Sequence, residues 1–180
     1  MKTVALISAL LPYLEGHVDI APILDRGKVS ANYFDYQGWA PGPGKIAIFV
    51  GLQESTFEGR SEDLDADIAE CCLGPKGIDE LRADIYAHNV DVFVKSSLLC
   101  RPGMTYADGM GKVEESIEKV VDALNASAYI DSDNAIGLFD AVVELVDRAS
   151  PKDADASGST CLETLIQVQF RTGENIARCI

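Results

Sequence analysis

The chain has 180 residues, about the size of one ordinary domain, and 47% of them are apolar, which is enough for a hydrophobic core and excludes a chain that is disordered throughout. Twenty-nine acidic and 15 basic residues give a formal net charge of −14. Because binding to a phosphate backbone needs a basic face, this balance argues against a DNA-binding domain and predicts a surface that repels DNA, although a charge that serves only solubility would look the same.

The cysteines and histidines form no pattern that predicts a metal site, a disulfide framework or a catalytic pair. The five cysteines are odd in number and include no Cys-x-x-Cys pair. Adjacent Cys71 and Cys72 cannot easily bind one zinc ion in tetrahedral geometry, and His17 and His88 supply too few further ligands. We therefore expect free thiols in a reducing compartment, with no metal and no cofactor.

The first segment predicts a helix. Residues 2–15 carry apolar side chains at helical spacing, Gly16 ends the pattern, and Pro12 is expected to kink or shorten the helix. Residues 1–11 also resemble a short signal peptide, but no small-x-small cleavage site follows them. No apolar run is long enough to span a bilayer.

Two strands and an acidic insertion are predicted to follow the first helix. The first strand is expected at a sheet edge, because Pro22 cannot donate a hydrogen bond to a neighbouring strand. The loop after it is rich in glycine, proline and aromatic residues. These elements are the edge strand 18–24, the loop 25–44, the strand 45–53 and the insertion 54–77, in which residues 62–72 predict a short helix capped by Ser61.

The alternation of apolar residues changes phase in the middle of the chain. Apolar side chains fall on odd numbers from 81 to 87 and on even numbers from 90 to 94, with the change at His88-Asn89. Two structures explain the change for residues 78–96: a tight hairpin that turns at His88-Asn89, or one long strand with a bulge. We favour the single bent strand.

The second half predicts one long helix and two strands. Thr105 can cap a helix over residues 106–125, whose apolar side chains recur at helical spacing. Residues 138–148 predict a strand, although their mixed pattern would also permit a helix, and residues 160–171 predict a strand with strict alternation. The predicted fold class is α+β, with a mixed or antiparallel sheet packed against the N-terminal helix and the long central helix. One domain is expected over residues 1–171, followed by a C-terminal arm at residues 172–180.

Several partial motifs fail as functional sites. Gly44-Lys45 and Gly111-Lys112 both lack the first glycine and the hydroxyl of a phosphate-binding loop. Asp131 begins a calcium-like loop that has no turn glycine. The acidic residues between 62 and 70 indicate a solvated face, and His88 at the phase change indicates a turn residue more than a catalytic base. The sequence therefore predicts a protein that is not an enzyme.

Five predicted elements carry a resemblance to a known family. A helix at 4–14 precedes a short strand at 18–24; a strand with the sequence DVFVK at 91–95 leads through a loop into a helix at 112–124; and a strand with the sequence TLIQVQFR at 164–171 ends the fold. This order resembles the tail terminator, or tail completion, proteins of long-tailed bacteriophages. The chain is longer than many members of the family, mainly through the acidic segment 54–77.

The resemblance implies a structural protein of the virion, located at the neck of the phage tail and made in the host cytoplasm. Such a protein forms a homohexameric ring that ends the tail tube and joins it to the head–tail connector protein, while DNA passes through the lumen without specific binding and no membrane is involved. Subunit contacts would then come from sheet edges, from Lys152 and Asp153 in the loop 149–159, and from Ile176 and Ile180 in the arm, which could equally pack on its own subunit.

Two alternatives remain from the sequence. One is a small soluble α+β enzyme or ligand-binding domain with an unrecognised site, which would need a pocket with convergent polar groups. The other is a secreted or periplasmic binding module, which would require cleavage of residues 1–11.

Overall fold

The computed structural model describes residues 2–60, 81–98, 101–126, 142–148, 152–153 and 161–178. Three helices and six strands occur in this part of the chain. In chain order they are α1 (Lys2–Gly16), β1 (Leu24–Ser30), α2 (Tyr33–Gln37), β2 (Ile46–Arg60), β3 (Leu81–Ser97), α3 (Tyr106–Ala126), β4 (Val142–Arg148), β5 (Lys152–Asp153) and β6 (Cys161–Arg178).

The strands form one mixed sheet in the order β1-β2-β3-β6-β4, with β5 also paired to β6. β1 runs parallel to β2, and every other pair is antiparallel. α1 packs near β1 and β2, and α3 contacts β3, β4 and β6. The predicted α+β class, with a sheet packed against the first helix and the long central helix, is confirmed.

The two long helices bury the faces that their sequences predicted. In α1, Leu6, Leu10 and Leu14 follow one another at intervals of four residues and are buried, and the helix continues past Pro12 to Gly16. The Tyr13 hydroxyl donates a hydrogen bond of 2.9 Å to the carbonyl oxygen of Ala123, which joins α1 to α3. None of the described helices is both long and apolar enough to cross a membrane.

The cap predicted for α3 is confirmed. The Thr105 hydroxyl oxygen accepts a hydrogen bond of 3.2 Å from the amide of Asp108, and the Asp108 carboxylate accepts one of 2.7 Å from the amide of Thr105. This reciprocal pair is a capping box, which satisfies amides that the helix itself leaves without acceptors. Five residues of the predicted apolar stripe of α3 are buried and Met110 is partly buried; the five are Val113, Ile117, Val120, Val121 and Leu124.

The strand predicted at residues 18–24 is wrong. Hydrogen bonds from the amides of Ala21 and Leu24 to carbonyls four residues earlier wind this segment into turns. Val18 is exposed whereas Ile20 and Leu24 are buried, although all three would share one face of a strand. The strand comes next, as β1, and the predicted loop 25–44 contains both β1 and α2.

β3 is one continuous strand from Leu81 to Ser97, and no hairpin turns at His88-Asn89. The bulges beside it lie in β2, between Leu52 and Glu54 and again between Phe57 and Gly59. The apolar phase changes because β3 buries different faces along its length: Ile85 lies on one face, and Val90 lies on the other.

Two strands are longer than predicted. β2 continues through residues 54–60 of the proposed insertion, whereas the helix predicted at 62–72 lies outside the described residues. β6 continues to Arg178, which pairs with Leu81 of β3. Residues 172–178 therefore extend the strand instead of forming the separate arm that the sequence predicted, because β3 is long enough to pair with them.

Candidate functional site

The sheet has two faces of different character. On the first, which we call the helix face, β3 places Val90, Val92 and Val94 in the core beneath α1 and α3. Because side chains alternate along a strand, the residues between them lie on the opposite side, which we call the polar face. Its polar side chains on the central strands are Asn89, Asp91 and Lys95 of β3 and Glu163, Gln167, Gln169 and Arg171 of β6.

Side-chain amides form hydrogen bonds between neighbouring strands in the middle of the polar face. Gln169 donates a hydrogen bond of 3.0 Å from Nε2 to Oδ1 of Asn89, and Gln167 donates one of 3.0 Å to Oδ1 of Asp91. The second oxygen of Asp91 accepts from the amide of Gln53, which lies at the first bulge of β2. Asp91 is thus a buried side chain whose two oxygens both accept hydrogen bonds from side-chain amides.

α2 covers one end of the polar face through a buried lysine. Lys95 is 6% exposed, and its ammonium donates hydrogen bonds of 2.9 Å to the carbonyl oxygens of Tyr36 and Gln37. The same nitrogen lies 4.5 Å from the centre of the Tyr36 ring. These contacts hold α2 against the sheet.

The hydroxyl of Tyr36 completes this cluster. It donates a hydrogen bond of 2.8 Å to Oε2 of Glu163. Burial, and next the nearby Glu163 carboxylate, raise the pKa of Tyr36 well above its ordinary value, so the phenol stays protonated. The cluster is a structural clamp between α2, β3 and β6.

An ion pair and a buried histidine lie at the other end of the central strands, near the second bulge of β2. Arg171 donates a hydrogen bond of 2.9 Å from Nε to Oε2 of Glu58, at the second bulge of β2. On the helix face, His88 Nδ1 lies 2.8 Å from the Ser55 hydroxyl. Burial lowers the pKa of His88, so the ring is neutral near pH 7. His88 pairs with Phe170 inside the strand, so its interpretation as a turn residue is wrong.

The two outermost strands complete the arrangement. β1 pairs only with β2, and β4 pairs only with β6, among the strands of the described segments. The outer side of an edge strand presents backbone amides and carbonyls that can pair with another chain. An open sheet of this kind offers one such edge at each end.

Of the four predicted interface residues, the three that the structure describes lie near opposite ends of β6. Lys152 and Asp153 form β5, opposite Glu163 and Leu162, beside the Lys95 clamp. Ile176 lies in the extension of β6, about 40 Å from Glu163 at 3.3 Å per residue. Ile180 lies outside the described residues.

Sequence reasoning found part of the polar face and missed the rest. The alternation in β6 predicted that Gln167, Gln169 and Arg171 share a face, which the register confirms. Asp91 and Lys95 were missed because valines surround them in the sequence and their partners are distant along the chain. Within the segments described, no three His, Cys, Asp or Glu side chains are grouped so that they could hold a metal ion.

No protein-family model matches the chain, and no curated protein matches it either.

Proposed function

We propose that the chain is a structural virion protein that forms a ring, ends the phage tail tube and joins it to the head connector. The observation that carries the proposal is an open mixed sheet whose long helices pack on one face only. Within the described residues, the sheet ends in β1 on one side and in β4 on the other. Two different edges on one subunit allow head-to-tail contacts, and such contacts close into a ring when the rotation between subunits permits.

The polar face is suited to line a passage for DNA. On β3 and β6 its two basic side chains are already engaged, because Lys95 binds backbone carbonyls and Arg171 binds Glu58. The remaining polar groups named on these two strands are amides and carboxylates, which offer phosphates no cation. On a chain with a net charge of −14, such a face repels a polyanion and lets it slide.

Further contacts between subunits are proposed at the two ends of β6. Lys152 and Asp153 of β5 lie beside one end, and Ile176 lies near the other, while Ile180 lies outside the described residues. A residue pair of opposite charge favours a specific register, and two isoleucines supply apolar area to a neighbouring copy or to the tube protein.

The proposal is tested by adding the purified chain to tail tube protein while tubes assemble. If the chain ends the tube, electron micrographs will show shorter tubes with a ring of extra density at one end. Tubes of unchanged length, without density at their ends and without bound chain after sedimentation, would contradict the proposal. Bovine serum albumin at the same concentration controls for crowding.

A further inference from the structure

A cavity lies between the edge strand β1 and the segment that contains α2 and Trp39. Its volume is about 410 Å³, which is within the range of small-molecule sites. It is lined by Arg26, Lys28, Val29, Ser30, Asp35 and Trp39.

An irregular stretch of β1 shapes this cavity. Leu24 pairs with Ile46 and Val29 with Ile48, so four residues of β1 stand against one residue of β2. Arg26 has a φ angle of +59° and Gly27 one of +60°. A left-handed conformation is unfavourable for an arginine, and unusual backbone of this kind is concentrated at functional sites.

The strained arginine is placed over the only tryptophan of the chain. The Arg26 guanidinium lies 5.2 Å from the centre of the Trp39 ring. Trp39 is itself fixed, because its Nε1 donates a hydrogen bond of 2.7 Å to Oδ2 of Asp25. The same oxygen lies 3.8 Å from Nε of Arg26. Asp25 therefore orients both the ring and the guanidinium, whose terminal nitrogens remain as donors.

Two cations line the cavity of this acidic protein, and two carboxylates lie beside them. Arg26 and Lys28 contribute two positive charges and Asp35 one negative charge to the lining, and the Asp25 carboxylate lies 3.8 Å from Arg26, so the charges at the site balance. The Arg26 side chain is 67% exposed, and Lys28 has no ion-pair partner in the described part of the chain. Such a pair of cations can bind one carboxylate or phosphate group by charge-assisted hydrogen bonds.

We propose that this cavity binds a small organic anion with one carboxylate or phosphate group and an apolar body. The anionic group binds to Arg26 and Lys28, and the apolar body packs against Val29 and Trp39. Asp35 disfavours a second anionic group. The proposal is independent of ring formation, since it requires only residues of one subunit.

The fluorescence of Trp39 can be used to measure binding of an anion in the cavity. This fluorescence, excited at a wavelength that only tryptophan absorbs, is followed while benzoate or phenyl phosphate is added, with benzyl alcohol as the neutral probe. We expect a saturable change with at least one of the two anions and none with benzyl alcohol. The anion that binds more tightly identifies the preferred head group.

Substitutions test whether Arg26 and Lys28 are responsible for the binding of the anion. The double substitution Arg26→Gln and Lys28→Gln should weaken binding of the preferred anion roughly tenfold or more, because both charge-assisted contacts are lost. Lys112→Gln, on the exposed side of α3, is the matched control and should leave the affinity unchanged. The proposal is overturned by the absence of a saturable change with both anions, by equal binding of benzyl alcohol, or by an unchanged affinity in a double variant whose circular dichroism shows that it is folded.

Discussion

At the scale of single residues, the most informative side chain is Lys95. A lysine is rarely buried unless its charge is satisfied, and here two carbonyls and an aromatic ring do so. Nothing in the surrounding sequence VFVKSS predicts this, since the partners lie 58 and 59 residues away in α2. A short helix within a segment rich in glycine and proline gave no signal that it would cover a strand.

Removal of this ammonium should destabilise the protein strongly. In Lys95→Ala the carbonyls of Tyr36 and Gln37 lose their donor and a cavity is left beside the Tyr36 ring, so we expect a loss of about 2–4 kcal/mol in the free energy of unfolding. Urea denaturation measures this. Lys112→Ala is the matched control, because its ion pair with Glu115 is exposed and should contribute less than about 1 kcal/mol. Equal losses in the two variants would show that the clamp adds nothing.

His88 should make stability depend on pH. Burial lowers its pKa in the folded protein below the ordinary value of 6.5. Above pH 6.5 both states are neutral and the residue has no effect; as the pH falls below 6.5 the unfolded state takes up the proton first, so stability declines toward the folded pKa by at most about 1.4 kcal/mol per pH unit.

The measurement for His88 is the free energy of unfolding at pH 7.0 and 5.5 in urea. His88→Gln should lose less stability than the wild-type protein over this interval. His17→Gln, which removes the other histidine, serves as the control and should keep the wild-type loss. An identical pH dependence in the wild type and in His88→Gln would refute the assignment.

At the scale of elements, the periodicity of apolar residues predicted the long helix and the last strand, but it did not predict β1. α3 and the first part of β6 were placed correctly because their apolar residues recur at one spacing over many residues. β1 was missed because four of its seven residues are charged or glycine, so it lacks the apolar alternation of a strand. It forms a strand because it pairs with β2, and the local sequence does not reveal this pairing.

The capping box gives a test at this scale. Thr105→Ala removes the hydroxyl that accepts from Asp108, so the free energy of unfolding should fall by about 1 kcal/mol. Ser116→Ala is the control within the same helix, since its hydroxyl bonds only to the Lys112 carbonyl in an exposed position and alanine is the better helix former. We expect no loss in that variant by urea denaturation. A Thr105→Ala protein as stable as the wild type would show that the cap is dispensable.

At the scale of the molecule, the sequence predicted the fold class but not the use of the two sheet faces. Alternation in one strand shows that it has two sides; it does not show which side a helix covers. The polar face depends on pairing between β2, β3 and β6, which brings Gln53, Asp91 and Gln167 together across 38 and 76 residues. The same pairing leaves β1 and β4 as outermost strands within the described segments, and this is the feature on which the proposed ring depends.

The central claim is that copies of this chain join through opposite ends of an open sheet. It is tested most directly by a native mass spectrum of the purified chain, recorded alone and with tail tube protein. A single closed oligomer, alone or once the tube protein is added, is the predicted result, with six copies expected from the family resemblance. A monomer in both spectra, with no bound tube protein, would contradict the claim.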